Sequence, residues 1–179
     1  MVRRIYYIVF LCLLCYCMCS CAALGIFPRE RLLIDKKSQI ENIDRLGLKI
    51  NGVYVGNHKG EQKKDLKAFF ILFSNGLCHF FLNWSGNTES VIDYLGKNNQ
   101  LRNDSPIGWG VFDIQGDTID MAHWRVMDYS IEYNRLEIQG KILDSETIVI
   151  EKGWGFENET VFHFYPLKNK PDSTNRFIK

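Results

Sequence analysis

The chain has 179 residues, 46% of them hydrophobic and 13% aromatic, enough for one domain with a sizeable core. Twenty-two Lys+Arg against 21 Asp+Glu leave a formal charge of +1, with both signs interspersed along the sequence. Near-neutrality removes the electrostatic reason to expect nucleic acid, which binds through a basic patch that releases counterions.

Residues 1–21 read MVRRIYYIVFLCLLCYCMCSC: two arginines, an apolar run over 5–14, then small and sulfur residues ending at Cys21. This is the pattern of a secretory signal, with a run on the short side for a spanning helix. A transmembrane anchor is the alternative. The segment resembles the signal of a bacterial lipoprotein, and Ser20-Cys21 carries the resemblance. Met18 stands where such signals usually have Leu, and Cys19 where they have a small residue. The resemblance implies a signal peptide over 1–20 and lipidation of Cys21 by palmitate-type acyl chains, which make the membrane a partner. One chain binds a bilayer marginally and two or more anchor it, at ~0.8 kcal/mol per buried CH2. Ala22, Ala23 and Leu24 carry no acid, so the resemblance implies neither an inner-membrane retention signal nor an acidic export tag. The implied location is the bacterial cell envelope, on the outer membrane and facing the periplasm. Five cysteines crowd residues 12–21 and only Cys78 lies in the body. With Cys21 acylated, no intrachain disulfide is left, and the domain must rely on its core.

Residues 21–47 are expected to be the lipidated Cys and a tether. Its outer part has Leu33, Ile40, Ile43 and Leu46 partly spaced for one helical face. The barrel region is placed at 48–167, followed by a polar tail at 168–179 that carries Pro171. The first strand is predicted over 48–57. A hairpin follows over 68–84, its arms flanking Ser74-Asn75-Gly76, with Asn75-Gly76 suited to a type I′ turn. One helix is predicted over 87–96, capped by Asn87 or Thr88, with Val91, Ile92 and Leu95 on its apolar side and Gly96 at its end. Five more strands are predicted near 109–114, 117–126, 131–143, 146–152 and 159–167, broken by Gly116-Asp117 and Asp144-Ser145. Eight strands in near-sequential hairpins point to an all-β fold, an eight-stranded antiparallel up-and-down barrel with one short helix; a flattened sandwich is the rival.

Alternation assigns the faces. Ile119, Met121, His123 and Arg125 are predicted inside, with Leu136, Ile138, Gly140 and Ile142, and with Phe112, Ile114, Ile148 and Ile150. Over 77–84 the inward set is Cys78, Phe80, Leu82 and Trp84, leaving His79 and Asn83 outside. Runs 69–73 and 160–166 are apolar on both faces, so one outer face is expected to lie under the helix.

Gly52-Val53-Tyr54, the run IQGKILDSETIVIEK over 138–152, His163-Phe164-Tyr165-Pro166 and Lys170-Pro171-Asp172-Ser173 resemble the lipocalin-like domains of small Bacteroidetes-type lipoproteins. The resemblance implies a lipocalin-like barrel. Lipocalins proper carry Gly-x-Trp in the first strand and a helix after the barrel. Tyr54 takes the place of that Trp, and no helical pattern follows Leu167.

No nucleophile elbow, zinc-helix motif or phosphate-binding glycine loop is present, and no enzymatic activity, cofactor or metal is expected. The leading functional expectation is a non-catalytic lipoprotein binding a small apolar or amphipathic ligand through Phe112, Met121, His123, Arg125 and Ile138, since pockets pair apolar walls with a few polar groups. For the two polar residues the favoured reading is His123 as a satisfied core residue and Arg125 as a rim residue with its stem on apolar surface, because buried polar groups are normally just satisfied. The alternative function is an envelope interaction module with a filled barrel and a surface patch around Trp154 and Phe156. Trp154 itself reads either as an exposed aromatic or as one folded back over the barrel end.

Overall fold

The period-two runs of Ile, Val, Phe and Tyr form strands that follow one another around a closed barrel, each with a neighbour on either side. In the computed structural model these are β1 (Gly52–Lys59), β2 (Asp65–Leu72), β3 (Leu77–Trp84), β4 (Trp109–Gln115), β5 (Thr118–Val126), β6 (Tyr133–Ile142), β7 (Thr147–Ile150) and β8 (Thr160–Pro166), with one helix, α1 (Thr88–Lys97), between β3 and β4. Each strand pairs with its sequence neighbour, and β8 returns to pair antiparallel with β1, Tyr54 opposite Phe164, closing the barrel. The structure describes residues 43–59, 65–97, 101, 107–126, 133–151, 156 and 159–173, without side-chain detail at 58, 59, 65, 83, 124–126 and 133–135. The chain divides into two compact units. One, Met1–Glu30 with Val126–Tyr133, lies almost wholly outside the described residues, and the barrel belongs to the other, Arg31–Arg125 with Asn134–Lys179. The expected signal, Cys21, the tether up to 42, Trp154 and the tail beyond Ser173 also fall outside the described residues.

Two apolar layers share the barrel wall. The inner one takes alternate residues from every strand: Tyr54, Phe70, Phe80, Ile114, Met121, Ile138, Ile148 and Phe162 among them. The outer one backs mainly onto β1–β5, where Val53, Val55, Phe69, Ile71, Trp109 and Ala122 cluster with Val91 and Leu95 of α1, and Tyr165 of β8 and Leu167 join it. The cover expected from the doubly apolar run 69–73 is therefore present. Parity holds for Phe112, Ile114, Ile119, Met121, Ile138, Ile142, Ile148 and Ile150, all of them in the inner layer.

Trp84 departs from its predicted inward face. Lys67 pairs with Trp84 but Phe69 pairs with Phe81, so β3 spends three residues where β2 spends two. This bulge flips the following side chain to the other face, and Trp84 packs in the outer layer. There its Nε1 donates to Ser90 Oγ at 2.9 Å. Asn87 caps α1 as expected, its Oδ1 accepting from the Ser90 N–H at 2.9 Å. Gly96, expected to end the helix, lies inside its last turn, which the Lys97–Asp93 ion pair spans at 2.6 Å.

The β2–β3 turn also differs from the expected two-residue type I′. Phe73 accepts from Gly76 N–H at 3.0 Å and donates to Leu77 O at 2.9 Å, with Gly76 at φ 81°. This is a three-residue loop, Ser74-Asn75-Gly76, in which the left-handed position falls on the glycine that tolerates it.

Candidate functional site

The interior is where the sequence placed a ligand, and its geometry starts from ring contacts. Phe70 of β2 meets Phe80 of β3 at 5.7 Å between centroids and Phe162 of β8 at 5.0 Å. Phe156, from the β7–β8 connection, touches Phe80 at 6.2 Å and Phe162 at 5.9 Å, so the four rings close a circuit across the interior. Tyr54 stacks on Phe70 at 5.2 Å and meets Phe164 edge-on at 5.4 Å. Such pairs add about 0.5–1.5 kcal/mol each beyond their area burial.

Phe156, expected on the surface beside Trp154, is instead 3% exposed and belongs to the inner layer, because its ring turns in against Phe80 of β3 and Phe162 of β8. Of the expected ligand-lining set, Phe112, Met121, His123 and Ile138 come together inside, none more than 4% exposed. His123 lies flat against Phe80, with centroids 5.0 Å apart and planes 18° off parallel. The side chain of Arg125 lies outside the described residues.

One end of the barrel carries the start of β1, the β4–β5 and β6–β7 turns and the end of β8. Residues 43–50 cross it, beginning with one helical turn at 43–46. Ile43 and Leu48 are buried in the inner layer, with Leu46 and Ile50 packed against it. The folded unit therefore begins at or before Ile43, not at the predicted residue 48. Lys49 N–H donates to Ser145 O at 2.9 Å and Arg45 Nη2 to Gly116 O at 2.9 Å, while Lys49 Nζ pairs with Glu146. From inside, the Tyr54 hydroxyl donates to Lys49 O at 2.8 Å and also lies 3.3 Å from Ser145 O. Tyr54 thus ties the closing segment to the wall, a hydrogen bond from a ring's far end that suits a buried phenol. Burial raises its pKa, with Asp144 and Glu146 adding to the effect, so the hydroxyl stays a donor.

The polar tail expected to be irregular is docked here as well. Lys170 Nζ donates to Leu72 O at 2.7 Å and to Ile50 O, and sits 4.6 Å from the centre of the Phe73 ring. Asn75 Nδ2 donates to Ser173 Oγ at 3.2 Å. No spacing pattern announces Lys170; only the tertiary fold brings two carbonyls and a ring to its ammonium.

Burial pushes the Cys78 thiol up, away from the thiolate that nucleophilic chemistry needs. Among the described residues, no three His, Cys, Asp or Glu side chains converge to hold a metal ion. Comparison with known proteins returns no match: no family model fits the chain, and no curated protein or solved structure is significantly similar to it.

Proposed function

We propose that this chain is a lipid-anchored lipoprotein of the bacterial cell envelope, with a lipocalin-like barrel that serves as a non-catalytic interaction module. The observation that carries this reading is the ring circuit of Phe70, Phe80, Phe156 and Phe162. Together with Met121, Phe112 and Ile138 at 1–2% exposure, it supports a barrel interior packed by the protein's own side chains. The membrane is the first partner, through acyl chains on Cys21. Trp154, two residues before the inward-turned Phe156, is the residue we assign to a protein partner. The outer membrane, on its periplasmic side, is the location that goes with a Cys21 followed by Ala22-Ala23.

Two measurements test the reading. Cys21→Ser should move most of the protein from the membrane to the soluble fraction and abolish incorporation of labelled palmitate. Mass spectrometry of extracts from the membrane-purified protein should find no small molecule at one-to-one stoichiometry beyond its own acyl chains. A stoichiometric amphipathic molecule that disappears in Met121→Trp, a change that overfills the interior, would replace this reading with the ligand-binding one. An unlabelled Cys21 would end it.

A further inference from the structure

The sequence holds two Asn-Gly pairs, Asn51-Gly52 and Asn75-Gly76. In such a pair an asparagine side chain closes readily on its own backbone, because glycine sets no Cβ beside the attacking nitrogen. The glycine nitrogen gives up its proton to solvent base and attacks Cγ of the asparagine. The new N–C bond completes a five-membered succinimide, the Cγ–Nδ2 bond breaks, and the amide leaves as ammonia. One water then opens the ring, at Cγ to give aspartate or at the main-chain carbonyl carbon to give isoaspartate. In sum one water is taken up and one ammonia released, with no change of oxidation state.

The fold treats the two pairs differently. At the start of β1, Asn51 O accepts from Leu167 N–H at 3.3 Å, and Gly52 lies opposite Pro166 of β8. A Cβ built on Gly52 would lie 2.2 Å from Tyr165 O and 2.6 Å from the Phe164 ring, so β8 fills the space around this glycine. Turning the 51–52 peptide toward the Asn51 side chain would part β1 from β8. Asn75-Gly76 lies outside the ladder, in the three-residue β2–β3 loop. Its peptide is held by one bond, Gly76 N–H to Phe73 O at 3.0 Å, while Gly76 O accepts from Phe112 N–H at 3.0 Å on the far side of the glycine and can stay in place.

What restrains the second pair is the side chain itself. Asn75 Oδ1 accepts from Leu77 N–H at 3.2 Å, and Nδ2, the leaving group, donates to Ser173 Oγ at 3.2 Å. To bring Cγ over Gly76 N the carboxamide must give up these bonds. Ser173 belongs to the tail, which is docked beside the same loop through Lys170 Nζ on Leu72 O at 2.7 Å.

We propose that Asn75 is a deamidation site of this protein and that the docked tail sets its rate through Ser173. Undocking the tail frees the leaving amide. The reaction in turn removes the donor that Ser173 accepts from, since neither product carries Nδ2, and it adds a negative charge at that rim. Isoaspartate also lengthens the main chain of a three-residue loop by one carbon. The step runs one way, so it marks those molecules whose tail has left the barrel. Asn51, in the same chain, is the protected counterpart.

Peptide mapping that separates Asn, Asp and isoaspartate forms tests this on the full chain, incubated in detergent micelles in mildly alkaline buffer. In the folded protein Asn75 should convert at least about tenfold faster than Asn51, the worth of one or two ladder hydrogen bonds. In urea the two rates should converge. Ser173→Ala should speed conversion at Asn75 by about two- to tenfold and leave Asn51 unchanged, whereas Ser173→Thr, which keeps the hydroxyl, should stay near the native rate. A folded-state rate at Asn51 equal to or above that at Asn75 would overturn the site. A rate at Asn75 indifferent to Ser173→Ala, or equal acceleration at both asparagines in that variant, would overturn the tail's hold on it.

Discussion

The inner and outer layers are built from the same strands and held together by different means. Inside, residues from all eight strands converge, and every ring in the Phe70–Phe80–Phe156–Phe162 circuit touches two others drawn from different elements of the chain. Outside, apolar side chains, mostly of β1–β5, pack with one ten-residue helix. A helix of that length is marginal alone and holds its shape because it buries one face. The inner layer is the condition for the barrel; the outer layer is conditional on the barrel. That order also decides where a polar residue does harm. His123 sits inside against Phe80, whereas His79 is buried in the outer layer against Phe81 and Trp109.

The largest effect that would sharpen this contrast comes from Phe70→Ala. It removes a ring touching Tyr54, Phe80 and Phe162, and should lower stability by about 3–5 kcal/mol. Urea denaturation followed by circular dichroism and by tryptophan fluorescence should give one shared midpoint, shifted down. Leu95→Ala empties a fully buried position on α1 and should cost less, about 2–3 kcal/mol, because the helix can settle toward the wall. Here Trp84 and Trp109, both in the outer layer, should report an earlier transition than the barrel's backbone signal. Equal losses with coincident transitions in both variants would mean the layers unfold as one, and the outer layer would not be a separate, conditional part.

The inner layer was far more legible in the sequence than the outer one, for a physical reason. A strand's faces alternate strictly, so polar outward positions such as Glu137, Gln139 and Lys141 reveal Ile138 and Ile142 as inward without any knowledge of neighbours. Parity says nothing about what covers an outward residue, which is why His79 could be placed on the correct face and still be buried. It also fails wherever a bulge inserts a residue, as between Phe81 and Trp84. Phe156 escaped because a connection has no period to read, although an aromatic flanked by strand-like runs was a hint. Ile43 and Leu46 did show helical spacing, but one turn's worth of pattern cannot distinguish a tether from a plug.

Lys170 provides the smallest of these effects, at the rim where the outer layer ends. Its ammonium spans Ile50 O and Leu72 O over the Phe73 ring, so the tail holds down the margin of the layer to which Phe73 and Leu167 belong. We predict that Lys170→Met, which keeps the length of the side chain and loses the donors, costs about 1–2 kcal/mol at neutral pH by leaving two carbonyls unserved. Burial pushes the folded-state pKa of Lys170 down to about 8, against an ordinary value of 10.5. Below about 8 both folded and unfolded chains hold the proton, and the burial cost is present in full. Between about 8 and 10.5 the unfolded chain still holds a proton that the folded chain has released, so stability rises with pH. The native protein should therefore gain about 1–2 kcal/mol on Lys170→Met across that interval, a figure reduced for the lysine's partial exposure. Denaturation midpoints at several pH values would show it as a widening gap. A gap that narrows instead would mean the carbonyls and the Phe73 ring hold the charged form more strongly than burial opposes it. The tail would then be a structural part of the outer layer on the same footing as α1.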